Sequence, residues 1–300
     1  MISIIIPTFN RIDSLQKCVD SVISQAYDGL ELIIIDDFSQ DVTKPFLLKL
    51  AANHIYVKVH FNDINHGVNY SRNRGIEMAT KEFILFLDSD DELEQGSLLQ
   101  VRNTLMANPD TNHFLFLVSD REKEFSGTTR IKTIQYPDWV TGKVSGDFTH
   151  VILTAIMKKY LFFEEFRMFE HLNWLRVKKE TSPQLLVPII TARRDRHRSD
   201  SLITSSKLQS FDVIRDKFQS EKFFYSMYHK DLKLYNPGSL SYPLLKTIFL
   251  GVACGHKHDC KTLIPYAGKM HIKLLSGLVM LLPSSLLRYG VISYSNSKSR

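Results

Sequence analysis

Short β-branched runs that alternate with helical stretches constrain this chain most. "ISIII" (2–6) and "LELIIIDD" (30–37) are apolar runs bounded by turn signals. Between them Ile12, Leu15, Cys18, Val19, Val22 and Ile23 recur on one helical face. A third strand over "YVKVHF" (56–61) precedes a helix over "NYSRNRGIEMAT" (69–80) and a strand over "EFILFLD" (82–88). Strands joined by helices of this length build a mainly parallel twisted sheet flanked by helices, an α/β class with a Rossmann-like half. Such sheets bind ligands beyond the carboxyl ends of their strands.

Polar clusters follow three of these strands: "PTFN" (7–10), "DDFSQD" (36–41) and "DSDDE" (88–92). One cluster alone reads as a turn or a helix cap. Three of them converge on one edge of a parallel sheet. The last stretch, "FILFLDSDDELE", carries Asp88, Asp90, Asp91, Glu92 and Glu94 within seven positions. Carboxylates this close repel unless a cation sits among them, and Mg²⁺ or Mn²⁺ take oxygen ligands while leaving positions for substrate phosphates. A helix-loop-helix calcium site is excluded, because Leu93 stands where its glycine belongs. Asp91 is expected to support the pair Asp88 and Asp90, with Glu92 and Glu94 facing water at a helix start.

Three hundred residues with 44% hydrophobic content bury one large core, or a main domain with a smaller one. The start "MISIIIPTFN" has no basic segment, long apolar run or small-residue cleavage site, so a cytoplasmic location is expected. Three cysteines make no disulfide framework, which suits a reducing compartment. The net charge of +6 is unevenly spread: residues 1–192 hold 20 Lys+Arg against 25 Asp+Glu, and residues 193–300 hold 18 against 7. A basic end of this kind suits nucleic acid, an anionic membrane or a phosphorylated substrate.

The segments "IIIPTFN", "IIIDDFSQD", "NHGVNYSRNRGI" and "FLFLDSDDEL", in this order and spacing, resemble glycosyltransferase family 2, which has the GT-A fold. The resemblance implies a transferase domain over 1–205, with a nucleotide-sugar half at 1–100 and an acceptor and catalytic half at 101–205. Residues 206–300 would then be a helical, basic extension. It further implies that Pro7, Thr8 and Asn10 approach the nucleotide, and that Asp37, together with Asp36, accepts a hydrogen bond from uracil. Arg72 would lie near the ribose or diphosphate, Asp88 and Ser89 near the ribose, and Asp88 with Asp90 at the metal. The chemistry fits these residue types independently: a departing nucleoside diphosphate gains negative charge, which a divalent cation offsets as a Lewis acid.

The family resembled supplies its base from a Glu-Asp pair, and the corresponding stretch "FEEFRMFEHLNWLRVKK" (163–179) departs from that pattern. Alignment on acid identity makes His171 the base. Alignment on the downstream "WLR" puts Glu170 there instead, and this register is preferred because it keeps a carboxylate and an aromatic anchor. His171 stays open, since an imidazole titrates near neutral pH. In "ARRDRHRSDSLITS" the resemblance implies that Arg194, Arg196 or Arg198 closes on the diphosphate, a role suited to the planar guanidinium. No aromatic residue interleaves these arginines, so nucleic acid is not an expected partner. Tyr136 and Trp139 read either as acceptor-pocket or as core residues.

In the C-terminal part, "IKLLSGLVMLLPSSLL" (272–287) contains Lys273 and Pro283 and falls short of the roughly 20 apolar residues of a spanning helix. With Lys269, Lys273, Arg288, Lys298 and Arg300 around it, an amphipathic helix on an anionic membrane surface is expected through 269–300, against the alternative of a packed helix. "CGHKHDC" (254–260) reads as an interhelix loop rather than a zinc site, because paired two-residue ligand spacing is missing.

The expected protein is an inverting, metal-dependent glycosyltransferase at the inner face of the cytoplasmic membrane. It would move a hexose from a UDP-sugar to a hydroxyl of a glycan or lipid-linked acceptor in bacterial surface polysaccharide synthesis, such as O-antigen, lipopolysaccharide core, capsule or exopolysaccharide. The inversion, the sugar nucleotide and the pathway come from the resemblance. A catalytically inactive sugar-nucleotide-binding or scaffold protein of the same fold is the alternative, and the unusual "FEH" supports it. A nucleotidyltransferase would need a Gly-rich phosphate loop, which "IPTFNRIDS" lacks.

Overall fold

Seven consecutive buried residues, Ile2–Thr8, form β1 at the middle of the first half of a mixed sheet. The structure, a computed structural model, describes residues 1–125, 127–166, 169–194 and 211–288. The boundary expected at 205 and residues Arg196, Arg198, Lys298 and Arg300 lie outside the described residues. Along the chain follow α1 (Ile12–Ile23), β2 (Leu30–Asp36), α2 (Thr43–Asn53), β3 (Val57–Phe61), α3 (Val68–Met78), β4 (Phe83–Phe86) and β5 (Asp91–Leu93). Next come α4 (Ser97–Ala107), β6 (His113–Val118), β7 (Lys132–Ile134), α5 (Tyr136–Val140), β8 (Thr149–Leu153), α6 (Thr154–Lys159), α7 (His171–Glu180) and β9 (Gln184–Arg194). The last helices are α8 (Phe211–Tyr235), α9 (Tyr242–Ala253), α10 (Lys257–Leu263) and α11 (Met270–Leu281).

Among the described residues nine strands make one sheet in the order β3-β2-β1-β4-β8-β6-β9-β5, with β7 also on β9. The first four strands are parallel, as βαβ connections require. The second half is mixed: β8 runs antiparallel to β4 and β6, while β6 and β9 are parallel. Ile2, Ile4, Ile6, Leu32 and Ile34 face α1 and α2 on one side, whereas Ile5, Ile33 and Ile35 pack with Ile76 of α3 on the other. This alternation lets nearly every β1 and β2 residue be buried, as in a sheet covered on both faces. Gly75 permits α3 to lie close against β1: a Cβ there would lie 2.4 Å from Ile5 Cγ2.

The chain divides into two compact units, Met1–Trp139 with Val144–Asp195, and Val140–Lys143 with Arg196–Arg300. In the second, α9 packs against α8, α10 and α11 through Leu244, Ile248 and Val252, all buried. The "CGHKHDC" stretch is the turn into α10: Cys254 and Cys260 are buried, His256 stacks on Phe218 at 5.6 Å and pairs with Asp259 at 3.5 Å. No group of three metal-ligating side chains occurs among the described residues. No helix of the described residues is long and apolar enough to cross a membrane.

Candidate functional site

The carboxyl ends of β1, β2 and β4 deliver the three polar clusters to one edge of the sheet. Pro7 is buried on β1 opposite Ile35, and Thr8 follows it with a buried hydroxyl that has no hydrogen-bond partner. Asn10 adopts φ +48°, a left-handed conformation that asparagine tolerates. Its backbone N–H donates to Ser39 Oγ at 2.8 Å, and its Oδ1 accepts from the Gln40 N–H at 2.7 Å. The loops after β1 and β2 are therefore stitched together.

Asp36 and Asp37 divide their work. The Asp37 N–H donates to the Thr8 carbonyl, and its carboxylate accepts from Asn62 Nδ2 at 2.8 Å, the His66 N–H at 2.9 Å and the Gly67 N–H at 2.7 Å. It holds the loop that starts α3, where Gly67 takes φ +95°. Asp36 makes only long bonds, from the Ser39 N–H at 3.3 and 3.4 Å, and burial raises its carboxyl, helped by Asp41 and Asp37 and opposed by Ser39. Its oxygens thus keep more acceptor capacity than those of Asp37.

Arg72 is the hub. It is buried on α3, stands 5.6 Å from the Phe162 ring, and sends Nη2 to Asp88 Oδ1 at 2.8 Å and Nη1 to Glu170 Oε2. Burial works against both charges, but Arg72, then Arg194 and Arg11, hold the Asp88 carboxyl below the usual range. Ser89 is buried beside it, and the Asp91 N–H closes the turn on the Asp88 carbonyl at 3.0 Å. Asp90 pairs with Arg11 Nη1 at 3.2 Å. Asp91 begins β5 opposite Arg194, whose Nε lies 3.4 Å from it while Nη1 donates to Asp147 at 2.8 Å. Residues 91–93 are thus a strand, and the helix expected there begins only at Ser97. Glu94 pairs with Arg193 at 3.0 Å, and Glu92 is exposed opposite Arg193. Antiparallel pairing with β9 overrides the helix-start reading of these acids.

Residues 162–166 are clamped onto α3. Asn73 Nδ2 donates to the Phe162 carbonyl at 2.9 Å and its Oδ1 accepts from the Phe162 N–H at 2.8 Å; Asn69 Nδ2 donates to the carbonyls of Phe163 and Phe166. Glu170 caps α7, its carbonyl accepting from the N–H groups of Asn173 and Trp174. Trp174 packs edge-on against Phe86 and Phe162 and stacks at 4.1 Å on His150. His150 Nδ1 meets His113 Nε2 at 2.8 Å, and His113 Nδ1 meets Thr181 Oγ1 at 2.8 Å. Burial disfavours the charged form of both rings and pushes both well below the usual histidine range. With both neutral and the Thr181 hydroxyl donating to the Val177 carbonyl, His113 Nδ1–H donates to Thr181 while its Nε2 accepts from His150 Nδ1–H.

The fold therefore joins Asp88 and Glu170 through Arg72, with Arg11 and Arg194, the partners of Asp90 and Asp91, near enough to act on the Asp88 charge. His171 is exposed beside Phe169 at the first position of α7. Tyr136 is buried, and Trp139 donates to Gln184 Oε1 at 2.8 Å beneath Lys178, as core residues do. Burial pushes the Lys178 ammonium down to about 8. Arg11, Asn69 and the His113–His150 pair were not singled out from the sequence. The spacing of Asn69, Arg72 and Asn73 on one helical face was the available signal.

A carboxylate edge crossed by three guanidinium groups suits a ligand that carries both sugar hydroxyls and phosphates. Residues 3–168 match the model of glycosyl transferase family 2, and the chain belongs to that family. Its fold is of the GT-A type with a helical C-terminal region, and it spans 60% or less of the length of the first two curated relatives it matches. Among curated proteins it is 35% identical over 187 residues to a GalNAc(5)-diNAcBac-PP-undecaprenol beta-1,3-glucosyltransferase of Campylobacter jejuni, covering 60% of each chain. It is 28% identical to an uncharacterized glycosyltransferase of Haemophilus influenzae over 82% of this chain and 94% of that one. Among solved structures, S. aureus TarS 1–349 in complex with UDP-GlcNAc superposes with TM-score 0.63 at 15% identity, over all of this chain and 91% of that one. The mannosyltransferase PcManGT of Pyrobaculum calidifontis, in complex with GDP-Man and Mn²⁺, gives TM-score 0.56 at 15% identity over 99% of this chain and 85% of that one.

Proposed function

We propose that the protein transfers a hexose, with inversion, from a UDP-sugar to a hydroxyl of a glycan or lipid-linked acceptor in bacterial surface polysaccharide synthesis, working at the inner face of the cytoplasmic membrane. The observation that carries this reading is the bridge of Arg72 between Asp88 and Glu170, which ties a carboxylate at the start of α7 to the strand-end acids. The relative that acts on an undecaprenol-linked glycan and the fold neighbour that binds UDP-GlcNAc support the acceptor and donor classes.

Glu170 takes the proton of the acceptor hydroxyl as its oxygen bonds to the anomeric carbon, and the bond from that carbon to the diphosphate oxygen breaks on the opposite face. Arg72, Arg11 and Arg194 face the negative charge that gathers on the leaving diphosphate. Asp36 and Asp37 accept from the base, with Pro7, Thr8 and Asn10 lining its approach and Ser89 beside the ribose. Asp88 and Asp90 suit a divalent cation: both are oxygen donors, both keep solvent access at 44% and 28%, and each already attracts a guanidinium. Two carboxylates with the remaining positions left to substrate and water is the Mg²⁺ or Mn²⁺ pattern, and such an ion supplies Lewis-acid stabilisation of the diphosphate.

The test is a panel of UDP-sugars scored for thermal stabilisation and slow UDP release, with and without Mn²⁺. One UDP-sugar should stabilise the protein more strongly with the cation, and Asp90→Ala should abolish that increment. An unchanged increment in Asp90→Ala removes the metal assignment. Donor binding without UDP release from any donor and acceptor pair would favour an inactive binding protein.

A further inference from the structure

The C-terminal unit carries a feature that sugar transfer does not use. Helix α11 turns Ile272 and Ser276, both fully buried, toward its own unit, where it packs on α9. Its other side is apolar and open: Met270 is 72% exposed, Leu274 64%, Leu278 60% and Leu281 79%. These positions recur at four, four and three residues, so they form one stripe along the helix. Leu282 and Leu286 continue the exposed apolar surface past its end. Soluble surfaces seldom leave so many long aliphatic side chains contiguous and wet.

Charge identifies the occupant. No Asp or Glu follows Asp259 in the sequence, whereas Lys261, Lys269, Lys273, Arg288, Lys298 and Arg300 do. Lys269 is exposed at the start of α11 and Lys273 lies one turn along it. Lys257 Nζ donates to the Leu282 carbonyl at 2.9 Å, placing another cation at the helix's C-terminal end. A second copy docked through this stripe in a two-fold contact would set the same cations against each other. An anionic lipid surface meets both demands, taking the leucines into its acyl boundary and the lysines among its phosphates. A twelve-residue helix, about 18 Å long, cannot span the roughly 30 Å hydrocarbon core, so it lies in the plane of the surface.

We infer that the exposed face of α11 docks on the surface of an anionic phospholipid bilayer. The experiment is flotation of the full chain with vesicles of phosphatidylcholine and phosphatidylglycerol, beside vesicles of phosphatidylcholine alone. The wild type floats with the anionic vesicles, added salt weakens it, and the neutral vesicles leave it behind. Leu274→Ser/Leu278→Ser and Lys269→Glu/Lys273→Glu each lower the partition by about tenfold or more. All four positions lie on the surface, so far-UV circular dichroism stays that of the wild type. The inference is overturned if the wild type stays with the soluble fraction, or if the leucine variant floats as well as the wild type. It is equally overturned by a doubled mass in vesicle-free solution that the leucine variant loses, which assigns the face to a second copy. UDP release in vesicle-free buffer is unchanged in both variants, so failure here leaves the transferase reading standing.

Discussion

Arg72 is asked to do two things at once, and a guanidinium is the one side chain whose fork reaches two carboxylates from a buried stem. Lysine offers a single ammonium, so Arg72→Lys keeps the charge and gives up one of the two bonds. Under the proposed mechanism this frees Glu170 from Asp88 while leaving donor charge complementarity in place: kcat should fall while the donor KM changes little. Glu170→Gln should cut kcat by about 100- to 10,000-fold with donor binding retained, the range a positioned general base contributes. His171→Ala should leave the rate essentially where it was, and single-turnover transfer measures all three. Loss confined to His171→Ala would move the base by one residue. The acids at 88–90 were legible in the sequence because a strand running into carboxylates demands a counter-charge. What supplies that charge in the structure, Arg72 and Arg11, was half legible: Arg72 lay in a motif, but Arg11 lay in none and meets Asp90 only through the fold.

At the level of elements, the helix that carries Arg72 also holds the segment leading to Glu170. Asn73 satisfies both backbone groups of Phe162, and Asn69 takes two carbonyls further along. Asn73→Ala leaves a buried N–H and a buried carbonyl unpaired, a cost of about 2–4 kcal/mol. Stability to urea should drop by that amount and kcat should fall with it, whereas an Asn73→Ala protein with wild-type stability would show that α3 does not hold this segment. The parallel strands that build this platform were readable from their short apolar runs bounded by turns, most clearly β1 and β2, which are buried on both faces. Strand β9 was not. Pro188 sits inside "QLLVPIITARR" and argues against a central strand, and the fold accommodates it by shifting register, Phe116 pairing with Val187 and Leu117 with Ile190. The His113–His150–Trp174 stack was also hidden, because its members come from β6, β8 and α7, and only the tertiary fold aligns them.

For the molecule as a whole, the change of charge sign near residue 193 and the division of the chain at Asp195 and Arg196 fall at nearly the same place. The acidic first unit meets low pH with a weakness at the opposite end of its sheet from the site. Glu31 on β2 is buried and accepts from Lys58 Nζ at 2.6 Å, Ser3 Oγ at 2.5 Å, and the Thr80 N–H and hydroxyl at 2.8 and 2.7 Å. Burial alone would raise its carboxyl, but these four bonds outweigh it and lower the carboxyl to about 2. An unfolded chain holds a glutamate near 4.3, so the unfolded state binds the proton more readily, and the stability Glu31 confers is complete above that value. It is lost as pH falls from there through about 2, an interval that corresponds to up to about 3 kcal/mol. Both tryptophans, Trp139 and Trp174, belong to the first unit, so their fluorescence follows its unfolding alone. Urea titrations between about pH 7 and about pH 3 should show the wild type losing stability steeply. Glu31→Gln should begin lower at neutral pH, because Lys58 loses its partner, and decline less on acidification. Parallel pH slopes for the two proteins would mean that Glu31 does not govern the acid limit of this unit.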